Sequence, residues 1–301
     1  MTDFSNKPLN ERQMEGGLMD SFAAFVASKW KDDFCHSYHI TRHTSWRRWR
    51  ELGRNLELEN YDERWRCDSI SQAADYYSWS GADAPAEYAN LSLRLQTAVQ
   101  NNDESAARDL CFDIFKWGGV WKGGNTGSVM WLNEQFEEVR LIARLREASE
   151  LLADMNADLD RFDGSYLLMN SSLTKAYAAL NPTKLIIYDG RVGAALGLLA
   201  RDYLRSIDHH GDLPEDLKFP WGAAQGAQAA AKRNKRNPSD EDFRFPELFG
   251  YRRDKLHARM MRHTSYLLRQ VAHLIAPSSP GELARLERAM FMIGYDVSRS
   301  A

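Results

Sequence analysis

Lys175 and Asp189 are the two residues of this chain whose types and spacing suit covalent chemistry. Each stands near the start of a predicted helix, and Asn181-Pro182 between them ends the first helix and lets the chain turn back. Folding back in this way brings both helix starts to one cleft. A poorly solvated lysine beside the partly positive end of a helix has a lowered pKa and offers a neutral amine, which is a nucleophile. A facing aspartate can accept its proton and stabilise developing positive charge. Each residue also has a plainer role: Asp189 as a helix N-cap worth about 1 kcal/mol, Lys175 as a surface lysine on a first turn.

Other chemistries lack their residues. Among the eight histidines the nearest pairs are His36/His39, His209/His210 and His257/His263. None forms HExxH, and none is joined by cysteine at zinc-finger spacing, so no metal site is expected. His36 and His39 are read as sharing a helix face. There is no GxSxG elbow. Cys35, Cys67 and Cys111 are odd in number and form no CxxC pair, which reads as reduced thiols of a cytoplasmic protein. The run WGGVWKGGNTGS, Trp117 to Ser128, matches neither GxGxxG nor GxxxxGK[ST]. It is either a backbone that approaches a phosphate or a flexible connection with tight turns.

Helical periodicity supplies the frame for these residues. Apolar positions from Trp131 to Met155 recur at three-and-four spacing and predict one long helix. Further helices are predicted from Pro85 to Gln100, from Glu104 to Trp117 with Asn102 or Asp103 as cap, and from Ser171 or Ser172 to Leu180. Leu185 to Tyr188 reads as a buried extended piece. Asp189 then caps a helix through Tyr203, whose Gly190, Gly193 and Gly197 suggest close approach by another backbone. Two more helices run from about Tyr251 to Ile275 and Gly281 to Ile293. Strand signals are few, so the fold class is mainly α, with one core rather than two independent ones expected.

Composition narrows the class without naming a function. Of 301 residues, 44% are hydrophobic and 27% charged, which excludes a disordered chain. A net charge of −3 argues against a uniformly basic nucleic-acid coat. Locally, eleven Lys/Arg stand against five Asp/Glu between Lys232 and Arg269. The small, polar run from Ala223 to Pro238 is expected to be an exposed basic arm. No apolar run reaches the ~18 residues of a membrane span, and the first residues lack the apolar region of a signal peptide.

The stretch SSLTKAYAALNPTKLIIYDGRVGAALGLLARDY resembles the catalytic segment of helix-hairpin-helix DNA glycosylases, above all the oxoguanine glycosylase branch. Thr174-Lys175 matches the Thr-Lys that closes the family's hairpin and carries its nucleophilic lysine. Asp189 matches its aspartate, and Ala200 to Tyr203 echoes the end of the following helix. The resemblance covers about a tenth of the chain. It departs from the family at the hairpin, which reads LLMNSSLTK without glycines, and at Arg191, often histidine in that branch.

The resemblance implies a glycosylase-like helical core over residues 101–301, with an N-terminal helical region, 1–100, packed on it. It implies DNA as partner, with Lys175 attacking the sugar C1′ of a flipped nucleotide and Asp189 orienting it. Lys184 and Arg191 would meet flanking phosphates, and Lys232, Arg233, Lys235 and Arg236 would add sequence-independent attraction. No cofactor is implied. The competing expectation is a catalytically inactive nucleic-acid-binding or regulatory protein of a bacterial stress or defence system that keeps the fold. An α-helical interaction protein is the third.

Overall fold

The computed structural model describes residues 17–39, 64–77, 79, 83–121, 123–124, 126–223, 234–248, 253–279 and 281–298. These are mainly helical: α1 (Leu18–Ser28), α2 (Ile70–Asp75), α3 (Ala84–Gln100), α4 (Glu104–Trp117), α5 (Gly127–Glu137), α6 (Leu141–Ala153), α7 (Leu173–Leu180), α8 (Gly190–Ser206), α9 (Asp254–Ile275) and α10 (Glu282–Ile293). One antiparallel pair, β1 (His36–His39) and β2 (Arg64–Cys67), is the sheet found among the described residues. The chain divides into two compact units that interleave in sequence. One comprises residues 1–77, 189–248 and 267–301, the other 78–188 and 249–266. This grouping follows spatial contact and has no boundary at residue 100.

In the first unit, α8 is the buried element. Val192, Ala195, Leu196, Leu199 and Tyr203 are all buried, as helical spacing predicts. Tyr203 meets Phe22 and Phe25 of α1 at ring-centroid distances of 5.5 and 5.4 Å. The expected backbone approach occurs at Gly190, where an added Cβ would lie 2.4 Å from the Cα of Gly222. His36 and His39 are strand residues, not helical neighbours. The buried His36 imidazole has Nε2 2.9 Å from the Asp296 carbonyl oxygen, so it serves packing and backbone satisfaction. Tyr38 stacks on Trp65 across the sheet at 4.8 Å.

The second unit gathers α3 to α7 and the first turns of α9. Asp103 caps α4 by accepting from the Ala106 N–H, as expected. The predicted single helix from Trp131 to Met155 is two helices. Val139, at φ +54°, breaks the chain between α5 and α6. Periodicity survives the break because both helices turn apolar faces inward. What decides the break is tertiary: the Glu104 carboxylate of α4 accepts the Ile142 N–H and caps α6 from outside. Helix α7 is held at its far end by α3, where Ser92 Oγ and Gln96 Nε2 both donate to the Ala179 carbonyl. Leu185 to Tyr188 is buried, as expected, and lies in no helix or strand.

Candidate active site

Lys175 lies on the first turn of α7 and is only 6% exposed, so it is not the surface lysine of the plainer reading. Its ammonium nitrogen donates to the Ser171 carbonyl at 2.7 Å. Helix α7 begins without a cap from Ser171 or Ser172. The Asn170 side-chain carbonyl instead accepts the Ser172 and Leu173 N–H groups, at 2.9 and 3.2 Å. Next to the lysine, Thr174 Oγ1 accepts the Tyr188 N–H at 3.0 Å, and the Tyr188 carbonyl lies 2.8 Å from His257 Nε2. The buried run from Leu185 to Tyr188 is thereby fastened to α7 and α9.

The Gly-rich run finds a use that neither sequence reading contained. Gly118 ends α4, and a Cβ there would lie 2.4 Å from Cδ and 2.5 Å from Cε of Lys175. The lysine stem rests on bare backbone, and only glycine leaves that room. Aromatic residues fix this backbone. Trp117 stacks on Tyr88 at 4.4 Å, and Tyr88 Oη donates to the Lys175 carbonyl at 2.8 Å. Trp79 Nε1 donates to the Trp117 carbonyl at 2.9 Å. Sequence reasoning missed Gly118, Tyr88 and Trp79. The visible signal was a Trp-Gly-Gly directly after a predicted helix, which periodicity cannot connect to a residue more than fifty positions away.

Asp189 belongs to the first unit and is half-buried. Its Oδ1 accepts the Arg191 and Val192 N–H groups at 2.8 and 3.1 Å, so the capping role is realised at α8. Lys184 is exposed, in the turn after α7. Arg191 lies over the rings of Phe291 and Tyr295, 4.3 and 5.3 Å from their centroids. Lys232 and Arg233 lie outside the described residues.

The part of the expected basic arm that is described, 234–238, is packed. Lys235 pairs with the buried Asp296 carboxylate at 3.0 Å, and its carbonyl accepts the Val297 N–H. Pro238 is buried against Gly197, and Arg236 is half-buried. The physical reason is that Asp296 and the bare face of α8 offer partners from distant parts of the chain. Burial brings the Arg236 guanidinium down to about 10, the nearby Arg191 adds to this, and Asp189 opposes it. Among the described residues, no group of three or more His, Cys, Asp or Glu is placed to hold a metal ion. No described helix is long and apolar enough to cross a membrane.

No family model, curated protein or solved structure matches the chain. The class defined by fold is therefore the coarse one, a mainly α-helical protein, and its function has to be argued from the lysine and its surroundings.

Proposed function

We propose that the protein is a DNA glycosylase/AP-lyase-like enzyme that acts on a modified or damaged base through a Schiff base at Lys175. The observation that supports this reading is the setting of Lys175: a buried amine on a first helical turn, its stem laid on Gly118 and its nitrogen donating to the Ser171 carbonyl. Long lysine side chains are seldom buried without cause, because removal from water disfavours their charged form. A surface lysine kept for solubility needs no glycine slot.

In the proposed reaction the target nucleotide leaves the stack, at a cost of a few kcal/mol. The neutral amine forms a bond to C1′ while the C1′–N glycosidic bond breaks, and the base departs with that electron pair. The proton shed by the amine passes to a general base, and the family resemblance gives that part, with stabilisation of positive charge on the sugar, to Asp189. Ring opening gives the Schiff base, and loss of a C2′ proton then expels the 3′ phosphate. Lys184 and Arg191 are proposed to meet the flanking phosphates.

Borohydride trapping on an abasic duplex tests this directly, since the exposed sugar aldehyde is available whichever base is preferred. The wild type should give a covalent adduct, Lys175→Ala none, and Asp189→Asn a much slower one at nearly unchanged stability, because Asn remains a competent cap. A wild type that binds the abasic duplex without forming an adduct would put the inactive nucleic-acid-binding reading first.

A further inference from the structure

The run from Leu185 to Tyr188 lies in no helix or strand, so side chains take over the fastening of its backbone at Ile186 and Tyr188. Ser265 Oγ of α9 accepts the Ile186 N–H at 3.1 Å. At Tyr188 both backbone groups are engaged. Thr174 Oγ1 of α7 accepts its N–H at 3.0 Å, and His257 Nε2 of α9 lies 2.8 Å from its carbonyl oxygen. A carbonyl only accepts, so Nε2 carries the imidazole hydrogen in this bond. All of these residues belong to the second unit.

Thr174 is fully buried, and its hydroxyl spends its one hydrogen on Met261 Sδ at 3.3 Å. His257 and Met261 stand four residues apart on α9 and so share one face of that helix. With its hydrogen committed there, the Thr174 oxygen offers its lone pairs to the Tyr188 N–H. Position along the chain gives this clamp its consequence. Thr174 directly precedes Lys175, and Tyr188 directly precedes Asp189, to which the resemblance gives the proton. The carbonyl bound to His257 belongs to the peptide bond that leads into Asp189. One hydroxyl thus ties the backbone before the amine to the backbone before the carboxylate, across a separation of 14 residues.

We infer that Thr174 is a positioning residue of the lysine reaction: its hydroxyl, committed to Met261 and to the Tyr188 N–H, holds the chain entering Asp189 against the first turn of α7. The inference rests on the lysine reading above. Thr174 touches no reacting atom and acts through the place it gives to Asp189. A misplacement of about 1 Å at such a group can cost about a hundredfold in rate.

Borohydride trapping of the full chain on an abasic duplex at varied concentration tests this, at a temperature where circular dichroism shows each variant folded. Thr174→Val keeps the size of the side chain and loses the acceptor. Its maximal adduct rate should fall about 10- to 100-fold, with the half-saturating duplex concentration unchanged. Thr174→Ser keeps the hydroxyl and should stay within about threefold of the wild type. In the Asp189→Asn background, Thr174→Val should cost less than about threefold more, because the group it positions is already disabled. An undiminished rate in Thr174→Val, or a Thr174→Ser protein as slow as Thr174→Val, would overturn the role. So would an equal fold-loss in both backgrounds, since a purely structural weakening takes no account of Asp189. Should Thr174→Val not fold, Thr174→Ala removes the same acceptor and is read in its place. A wild type that forms no adduct overturns the lysine reading and this inference together. A wild type that forms one at a rate indifferent to Thr174 overturns this inference alone.

Discussion

Replacing Gly118 with alanine places a methyl carbon 2.4 and 2.5 Å from Cδ and Cε of Lys175, far inside van der Waals contact. The backbone itself accepts alanine, since Gly118 has φ −73° and ψ −1°. By restricting the unfolded chain, the substitution should stabilise by roughly 0.4–1 kcal/mol. Against this stands overpacking in a buried slot, which costs about 1–3 kcal/mol. The lysine cannot simply swing away, because its nitrogen is bound to Ser171 and its stem is enclosed. The net expectation is a loss of about 1–2 kcal/mol. The background decides the cause. In Lys175→Ala the obstructing stem is gone, so Gly118→Ala should become neutral or slightly stabilising. Urea unfolding of the four proteins of this double-mutant cycle should therefore give a coupling of about 1–3 kcal/mol. Equal cost in both backgrounds, within ~0.5 kcal/mol, would refute the slot. So would an unaltered rate of adduct formation in Gly118→Ala if Lys175 forms one.

Three further outcomes are expected. Val139 sits at φ +54° with its side chain exposed, so Val139→Gly should raise stability by about 1 kcal/mol in urea unfolding; a loss would mean the α5–α6 break is not where the strain lies. In the native protein, iodoacetamide at neutral pH should label Cys35, which is exposed, and leave the buried Cys67 and Cys111 unmodified on peptide mapping. Burial pushes the Cys111 thiol up from 9.0 to about 12, so the protonated thiol is favoured by the folded state. Its contribution is full below about pH 9 and is lost as pH rises towards 12. Alkaline unfolding of Cys111→Ala should fall less steeply over that window.

What the sequence determined by itself is local. Asp103 and Asp189 are caps because a short carboxylate just before an apolar periodic run can reach the free N–H groups of the next turn. The mainly α class, the ends of α3, α4, α9 and α10, and the buried run from Leu185 to Tyr188 follow from the same kind of short-range pattern. Contacts between distant segments were decided only by the tertiary structure. Glu104 splits what periodicity reads as one helix, because a carboxylate from α4 satisfies α6 at Ile142. The basic segment at 234–238 packs instead of extending, because Asp296 and the bare backbone of α8 wait for it on other parts of the chain. The slot for Lys175 is the plainest case. The lysine and its chemistry are legible in one stretch of sequence, but the space for its stem comes from Gly118 at the end of α4, and no period along the chain links these positions.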